Sequence, residues 1–264
     1  MIKVSIVIPT YERAHYLSQL LNTISKQTFK DYEVIIIDDC SKSKKEYEAV
    51  IDQYANIIEN ITYKRTERNY GTPTHARNVG VKMAKGEFIA FCDDDDEWYP
   101  QKLELQVKRI GMEKEMALVY TWADAIDASN GEVIDRYRGE LEGDIVKELL
   151  KKNFIPTSSV LVRRAALMKA GGMDENMRFC CEDWDTWIRI LKEGNSCGVV
   201  KQVLLKYYRR SGECFSMLPD IQKGYLQFYK KNWKYAMKVS PIIVLLYVKH
   251  IVAIYMKKLL LNRN

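Results

Sequence analysis

Four short apolar segments, separated by amphipathic helical patterns, set the fold class of this chain. The segments are rich in β-branched residues and do not alternate with polar ones, as is typical of central parallel strands covered on both faces. They lie at Val4–Ile8, Glu33–Ile37, Ile61–Tyr63 and Phe88–Cys92. Apolar residues recur at helical spacing between them, in residues 17–24 and 47–54. The alternation predicts an α/β fold with an open, mostly parallel sheet flanked by helices.

The second half of the chain has a looser pattern but no linker, repeat or low-complexity block before residue 222. Its predicted strands are Ala117–Trp122, Ser158–Val162 and Cys197–Leu205. We expect a turn at Gly171–Gly172 and a helix over Asp183–Leu191. Residues 1–222 are therefore predicted to form one globular domain, and residues 223–264 a basic helical tail.

The positive charge of the chain is concentrated in that tail. The net charge is +6, but the tail holds nine of the 41 Lys and Arg and none of the 35 Asp and Glu, so residues 1–222 carry −3. The main domain therefore gives no electrostatic argument for binding nucleic acid.

The tail also has a helical apolar pattern. One predicted stripe contains Val244, Val248, Ile251, Val252, Tyr255 and Leu259, while Lys249, His250, Lys257 and Lys258 lie largely off it. Lys249 and His250 divide the apolar stretch, which disfavours a membrane span. We expect a helix lying on an anionic membrane surface; packing on the protein or on a partner chain is the alternative.

The cysteines and the N-terminus favour a cytoplasmic protein. With its basic tail, such a protein is expected on the inner face of the membrane. Six cysteines show no zinc-binding spacing, so we expect reduced, structural thiols. Residues 1–9 enter a strand at once and lack the features of a signal peptide.

Acidic residues gather where the predicted strands end. Asp93–Asp96 follow the fourth strand, and Asp38 with Asp39 follow the second. Ligands of open α/β sheets bind at these carboxyl ends, and carboxylates there can hold Mg²⁺ or Mn²⁺ against nucleotide phosphates. The alternatives are a solvated turn before the helix near Pro100, and an Asx turn closed by Ser41.

A further acidic pair, Glu182–Asp183, opens the predicted helix over Asp183–Leu191. The helix dipole stabilises acidic residues at this position, which is one explanation. Beside an apolar pocket, such a carboxylate can instead have a raised pKa and act as a general base. Trp184 and Trp187 are expected in the core, although one is also a candidate for stacking on an acceptor sugar.

The segments VSIVIPTYER, VIIIDDCS, NYGTPTHARNVG, GEFIAFCDDDDEWYPQKLELQ and CCEDWDTWIRI resemble, in order and rough spacing, glycosyltransferase family 2. The resemblance covers residues 3–212 and implies a GT-A fold. It also implies an inverting transfer of a hexosyl or N-acetylhexosaminyl group from a nucleotide sugar, expected to be a UDP-sugar, to an acceptor hydroxyl.

The resemblance further assigns the site residues. The implied nucleotide pocket is lined by Pro9, Thr10, Tyr11 and Glu12, with Asp39 on the base. In the DxD motif, Asp93-Asp94-Asp95, the implied roles are the ribose or sugar side for Asp93 and the metal, Mn²⁺ or Mg²⁺, for Asp95. The implied base is Asp183 with Glu182 beside it, and Arg77 faces the diphosphate or sugar.

The chain departs from the family pattern at three places. Glu12 stands where the family usually has Asn, and the four aspartates leave the DxD register open by one residue. The basic phosphate loop of the family is matched only by Arg209 and Arg210 within the segment Tyr207–Ser211.

With its basic tail, the chain is expected to act on a glycan or lipid-linked acceptor in bacterial surface polysaccharide synthesis. The alternatives are a metal-dependent nucleotidyltransferase and a non-catalytic nucleotide-sugar-binding protein. The first usually has a glycine-rich loop near its N-terminus, and residues 9–13 contain no glycine.

Overall fold

The computed structural model of the chain describes residues 2–177, 179–210 and 218–261. Its strands are β1 (Val4–Thr10), β2 (Tyr32–Asp38), β3 (Ile61–Arg65), β4 (Phe88–Phe91), β5 (Glu97–Trp98), β6 (Met116–Asp127), β7 (Val133–Tyr137), β8 (Leu161–Arg163) and β9 (Ser196–Arg209). Its helices are α1 (Ala14–Ser25), α2 (Lys44–Tyr54), α3 (Pro73–Met83), α4 (Lys102–Ile110), α5 (Val146–Lys151), α6 (Arg164–Lys169), α7 (Glu182–Leu191), α8 (Leu218–Val239) and α9 (Pro241–Leu261).

The strands form one mixed sheet in the order β3-β2-β1-β4-β8-β6-β9-β5, with β7 added on β6. The first four strands of this order are parallel, as predicted. In their register Thr10 lies beside Asp38, so β1 and β2 end together. The carboxyl ends of the parallel strands therefore meet at one edge of the sheet, where ligands of α/β proteins bind.

The prediction of central strands covered on both faces is wrong for β3. This strand is at the edge of the sheet, and the residues Ile61–Arg65 alternate between half-buried and exposed. One of its faces is open to solvent, which explains the alternation. The predicted strand Ser158–Val162 begins instead as a 3₁₀ turn at Thr157–Ser159 and becomes strand β8 only at Leu161.

Two apolar cores cover the two faces of the sheet. One includes residues of α1, α2 and α4, such as Leu17, Tyr47 and Leu103. The other includes residues of α3, α5 and α7 and also Phe228 and Tyr247 from the tail. The tail helices therefore share the core of the main domain, and the predicted boundary between residues 222 and 223 falls inside α8.

The predicted single apolar stripe of the tail does not describe α9. Ile243 and Tyr247 are buried against the protein, while Leu245 and Val248 on other sides of the helix are 67% and 51% exposed. Apolar residues thus lie around much of the helix. One side of it packs on the protein, which was the alternative to a helix lying on a membrane surface. The side chains of residues 257–261 lie outside the described part. Within the described residues, no helix has the length and apolarity needed to cross a bilayer.

Candidate active site

The acidic turn Asp93–Asp96 connects β4 to β5 and is tied to the end of β1. Asp94 is buried, and its Oδ2 accepts a 2.6 Å hydrogen bond from the Thr10 hydroxyl. Its Oδ1 lies 3.5 Å from an Arg13 guanidinium nitrogen. Because β1 and β4 are adjacent parallel strands, these contacts bring two of the predicted motifs together.

Asp95 faces two arginines. Its Oδ2 is 3.2 Å from Arg13 Nη1 and 2.6 Å from Arg210 Nη1. The Arg210 guanidinium also lies 4.0 Å from the centre of the Tyr16 ring. Of the predicted basic segment, Arg210 thus reaches the acidic turn, whereas Arg209 contacts Tyr137 and Ser211 lies outside the described residues.

Three carboxyl groups of the acidic turn have raised pKa values. Burial raises the pKa of Asp94 to about 7, and burial together with the neighbouring Asp93 charge raises the pKa of Asp95 and Asp96. Asp96 is buried, and its Oδ2 has no hydrogen-bond partner among the described residues. A hard divalent cation would favour the ionised form of such carboxylates.

The number of carboxylates in the acidic turn can be compared with the number that such a cation needs. No group of three or more His, Cys, Asp or Glu side chains is arranged for metal binding within the described residues. Mg²⁺ commonly needs only one or two carboxylates, because substrate phosphates and water complete its coordination. The residues present are therefore compatible with a metal that is held jointly by protein and diphosphate.

Arg77 on helix α3 joins the acidic turn to the other predicted acidic motif. Its Nη2 lies 2.5 Å from Asp93, and its Nη1 lies 2.8 Å from Glu182 at the start of α7. The arginine is 3% exposed, and the two carboxylates raise its pKa above the ordinary value. One guanidinium thus fixes the distance between the carboxyl end of β4 and the N-terminus of α7.

Asp183 follows Glu182 in the first turn of α7 and is half-buried. Its Oδ2 accepts hydrogen bonds from the Thr157 hydroxyl at 2.9 Å and the Asn153 amide at 3.3 Å. Its Oδ1 accepts the Trp184 backbone N–H at 2.6 Å. Burial, then the adjacent Glu182 charge, raises the pKa of Asp183 to about 6. A carboxylate with this pKa is ionised at neutral pH yet basic enough to take a proton.

The two aspartates at the end of β2, Asp38 and Asp39, have different hydrogen-bond partners. Asp38 forms the predicted Asx turn, because its Oδ1 accepts hydrogen bonds from the backbone and the side chain of Ser41. Asp39 accepts hydrogen bonds from the backbone N–H groups of Tyr70 and Gly71, at 3.0 to 3.1 Å. Its own N–H donates to the Thr10 carbonyl, so it borders the same edge as the acidic turn.

The remaining residues of the predicted nucleotide pocket surround that edge. Pro9 is buried in β1, whereas Tyr11 is 42% exposed above it. Glu12 is exposed and has φ +54°, and its carboxylate accepts the Lys42 backbone N–H at 2.7 Å. Asn adopts positive φ more readily than Glu, which gives a physical reason for the Asn of the family pattern.

Several contributors are absent from the sequence-based assignment. Arg13 belongs to the quoted PTYER segment, so its position directly after β1 was a usable signal. Thr157 and Asn153 carry no local signal, since only the fold brings them to Asp183. The proposed sugar-stacking role of Trp184 or Trp187 is wrong, because both side chains are buried in the core, at 3% and 0% exposed.

Comparison with known proteins identifies relatives of the chain. An uncharacterized glycosyltransferase of Methanocaldococcus jannaschii is 31% identical over 237 residues, which are 88% of this chain and 79% of that protein. TuaG of Bacillus subtilis, named as a teichuronic acid biosynthesis glycosyltransferase, is 28% identical over 204 residues, 77% of this chain and 78% of that protein.

A similar solved structure is residues 1–349 of Staphylococcus aureus TarS in complex with UDP-GlcNAc. The TM-score is 0.68 at 22% identity, over 86% of this chain and 66% of that chain. This chain spans 40% of the longer TarS chain. At this identity the likeness concerns the fold, and it confirms the predicted GT-A type of α/β architecture.

The family itself follows from the sequence matches. Residues 5–171, more than half of the chain, match the profile described as Glycosyl transferase family 2. The archaeal relative exceeds 30% identity over most of both proteins. The chain therefore belongs to glycosyltransferase family 2.

Proposed function

We propose that this protein transfers a hexose or N-acetylhexosamine from a UDP-sugar to an acceptor hydroxyl, with inversion at the anomeric carbon. The observation that carries the proposal is the bridge made by Arg77, 2.5 Å from Asp93 and 2.8 Å from Glu182. The buried Arg77 guanidinium thus lies between Asp93 of the acidic turn and Glu182, the neighbour of the proposed base Asp183. A single displacement needs this separation of leaving group and base.

On the donor side, the nucleotide would lie over the carboxyl ends of β1 and β2, along Thr10, Tyr11 and Asp39. Asp95, with Asp93 and Asp94 beside it, would hold Mg²⁺ or Mn²⁺. When bound, this ion would supply charge stabilisation to the departing diphosphate. Arg13 and Arg210, which face Asp95, add positive charge at the same place.

On the acceptor side, Asp183 takes the proton of the attacking hydroxyl. The hydroxyl oxygen forms the new bond to the anomeric carbon as the bond from that carbon to the diphosphate oxygen breaks. Thr157 and Asn153 orient the carboxylate by binding Oδ2, and the Trp184 N–H binds Oδ1. The burial that raises the pKa of Asp183 to about 6 makes it a stronger base than an exposed aspartate.

The test is hydrolytic release of nucleoside diphosphate, with water as the sugar acceptor, from a panel of UDP-, GDP- and dTDP-sugars with Mg²⁺, Mn²⁺ or EDTA. We expect metal-dependent release from a UDP-sugar and at least tenfold less release by Asp95→Asn at fixed donor concentration. Glu193→Gln, at an exposed carboxylate two residues beyond the end of α7, is the control. Binding of a UDP-sugar without any release would instead indicate the non-catalytic binding protein.

We also propose that the acceptor is a glycan or lipid-linked glycan of a surface polysaccharide and that α9 holds the enzyme on the membrane that carries it. Support comes from the names of TuaG and TarS, the latter a poly(ribitol-phosphate) β-N-acetylglucosaminyltransferase. On α9, the exposed apolar residues are Ile242, Leu245, Val248, Val252, Tyr255 and Met256. Lys249 is exposed among them, and the tail contains no acidic residue. Such a surface fits anionic lipid on the cytoplasmic leaflet.

Because α8 and α9 are part of the core, the membrane proposal is tested by surface substitution and not by truncation. The double variant Leu245→Ser/Val248→Ser should float less with phosphatidylglycerol vesicles than the unmodified chain. Val133→Ser/Ile134→Ser, two similarly exposed apolar residues on β7, is the matched control. Equal flotation of all three proteins would refute the anchoring role of α9.

A further inference from the structure

The start of helix α8 lies directly against the segment that precedes Glu182 and Asp183. A Cβ atom placed on Gly224 would lie 2.2 Å from Cys180 Sγ and 3.0 Å from its backbone nitrogen, so only glycine allows this approach. The next residue along α8 is Tyr225. A helix of the tail is therefore held at the acceptor side of the candidate active site.

The ring of Tyr225 contacts Trp184, the residue that follows the proposed base, and remains partly open to solvent. It packs edge-on against Trp184, with ring centres 6.0 Å apart, and makes a tilted contact with Tyr229 at 6.0 Å. Both neighbours are buried, whereas Tyr225 is 37% exposed. The backbone N–H of Trp184 donates to Asp183 Oδ1. Burial, followed by the nearby Cys181, Cys180 and Asp183, raises the pKa of the Tyr225 phenol.

A second tyrosine, Tyr137 at the end of β7, makes a minor contribution to the raised pKa of the Tyr225 phenol. The Tyr137 hydroxyl accepts a 2.6 Å hydrogen bond from Arg209 Nη2, and its ring meets Tyr207 edge-on at 6.3 Å. These contacts fix the position of β7 relative to β9.

We propose that Tyr225 forms a wall of the acceptor site and packs against the C–H face of a sugar ring whose hydroxyl is directed at Asp183. This inference rests on the proposed glycosyl transfer. An aromatic ring with a hydroxyl at its tip suits a sugar, which offers apolar C–H faces between its hydroxyls. Trp184 is buried and cannot contact a sugar in this way, but its ring packs against the Tyr225 ring.

The test uses the full chain, the nucleotide sugar that it hydrolyses fastest, and octyl β-glycosides of glucose, galactose and N-acetylglucosamine as acceptor probes. Tyr225→Ala should raise the KM for the best probe about tenfold, the effect of losing one aromatic contact. Acceptor-independent hydrolysis of the donor should stay within about twofold of the unmodified protein. Tyr225→Phe, which keeps the ring, should retain most of the affinity for the probe.

The matched control is Trp233→Ala, an exposed aromatic on the same helix, two turns beyond Tyr225 and 46% exposed. It should leave the KM for the probe unchanged. An unchanged KM in Tyr225→Ala would overturn the proposal, as would donor hydrolysis by the unmodified protein that no glycoside accelerates. A loss of donor hydrolysis in Tyr225→Ala equal to its loss of transfer would also overturn it, by indicating a structural role. If the unmodified protein released nucleoside diphosphate from no donor, the proposed function itself would fail.

Discussion

The replacement Asp183→Asn separates catalysis from folding, because the carboxamide has the shape of the carboxylate but is not a base. Its oxygen can still accept the Trp184 N–H, and its NH₂ group would face Thr157, whose hydroxyl can turn to accept. Only the 3.3 Å hydrogen bond from Asn153 is lost. The local structure should therefore survive the substitution.

The expected loss of turnover is about 10² to 10⁴-fold, the usual contribution of a general base. The folded protein should gain stability at neutral pH. A pKa raised from 3.8 to about 6 means that ionised Asp183 costs the fold at most about 3 kcal/mol above pH 6. Solvent reaches this half-buried carboxylate and reduces that figure, so we expect a gain of about 1 kcal/mol. The gain should shrink as the pH falls through 6 and vanish below 4, where Asp183 is protonated in the folded and unfolded states.

The assay is nucleoside diphosphate release between pH 5 and 8, with urea unfolding of the same samples. The unmodified protein should lose activity as the pH falls through about 6, because protonation removes the base. In Asp183→Asn this acidic limb should disappear together with most of the turnover. Near-normal turnover in this variant would refute the assignment of the base. A drop in the free energy of unfolding that matches the lost activity would refute the structural reasoning.

Three further substitutions test the framework around the site. Arg77→Lys should lower the free energy of unfolding in urea by about 3 kcal/mol, since one ammonium cannot bridge both buried contacts; an unchanged midpoint would contradict the bridge. Gly80→Ala should cost about 1–3 kcal/mol, because its Cβ would lie 2.4 Å from Val7 Cγ1, and adding Val7→Ala should recover part of this loss. Tyr247→Phe leaves the Leu150 carbonyl without its 2.8 Å hydrogen bond and should lower thermal stability by about 1–3 kcal/mol. No change there would mean that α9 is not part of the folding unit.

The sequence was sufficient wherever the determining interactions are local. Apolar β-branched segments and helical spacing predict β1, β2, β4, α1 and α2, because each pattern reflects the surface that a strand or helix must bury. The clustering of acidic residues at the strand ends was predictable for the same reason, since parallel strands bring their carboxyl ends to one edge. The Asx turn at Asp38 is likewise local, formed with a residue three positions away.

The tertiary structure decided what depends on residues far apart in the chain. The Arg77 bridge joins positions 16 and 105 residues away, and Thr157 is 26 residues from the carboxylate that it orients. Neither of these long-range contacts can be predicted from a local sequence pattern. The tail was predicted from its composition as a separate basic helix, yet Phe228 and Tyr247 are buried in the main core. Composition and periodicity indicate that a face is apolar, but only the packed fold determines which neighbour covers it.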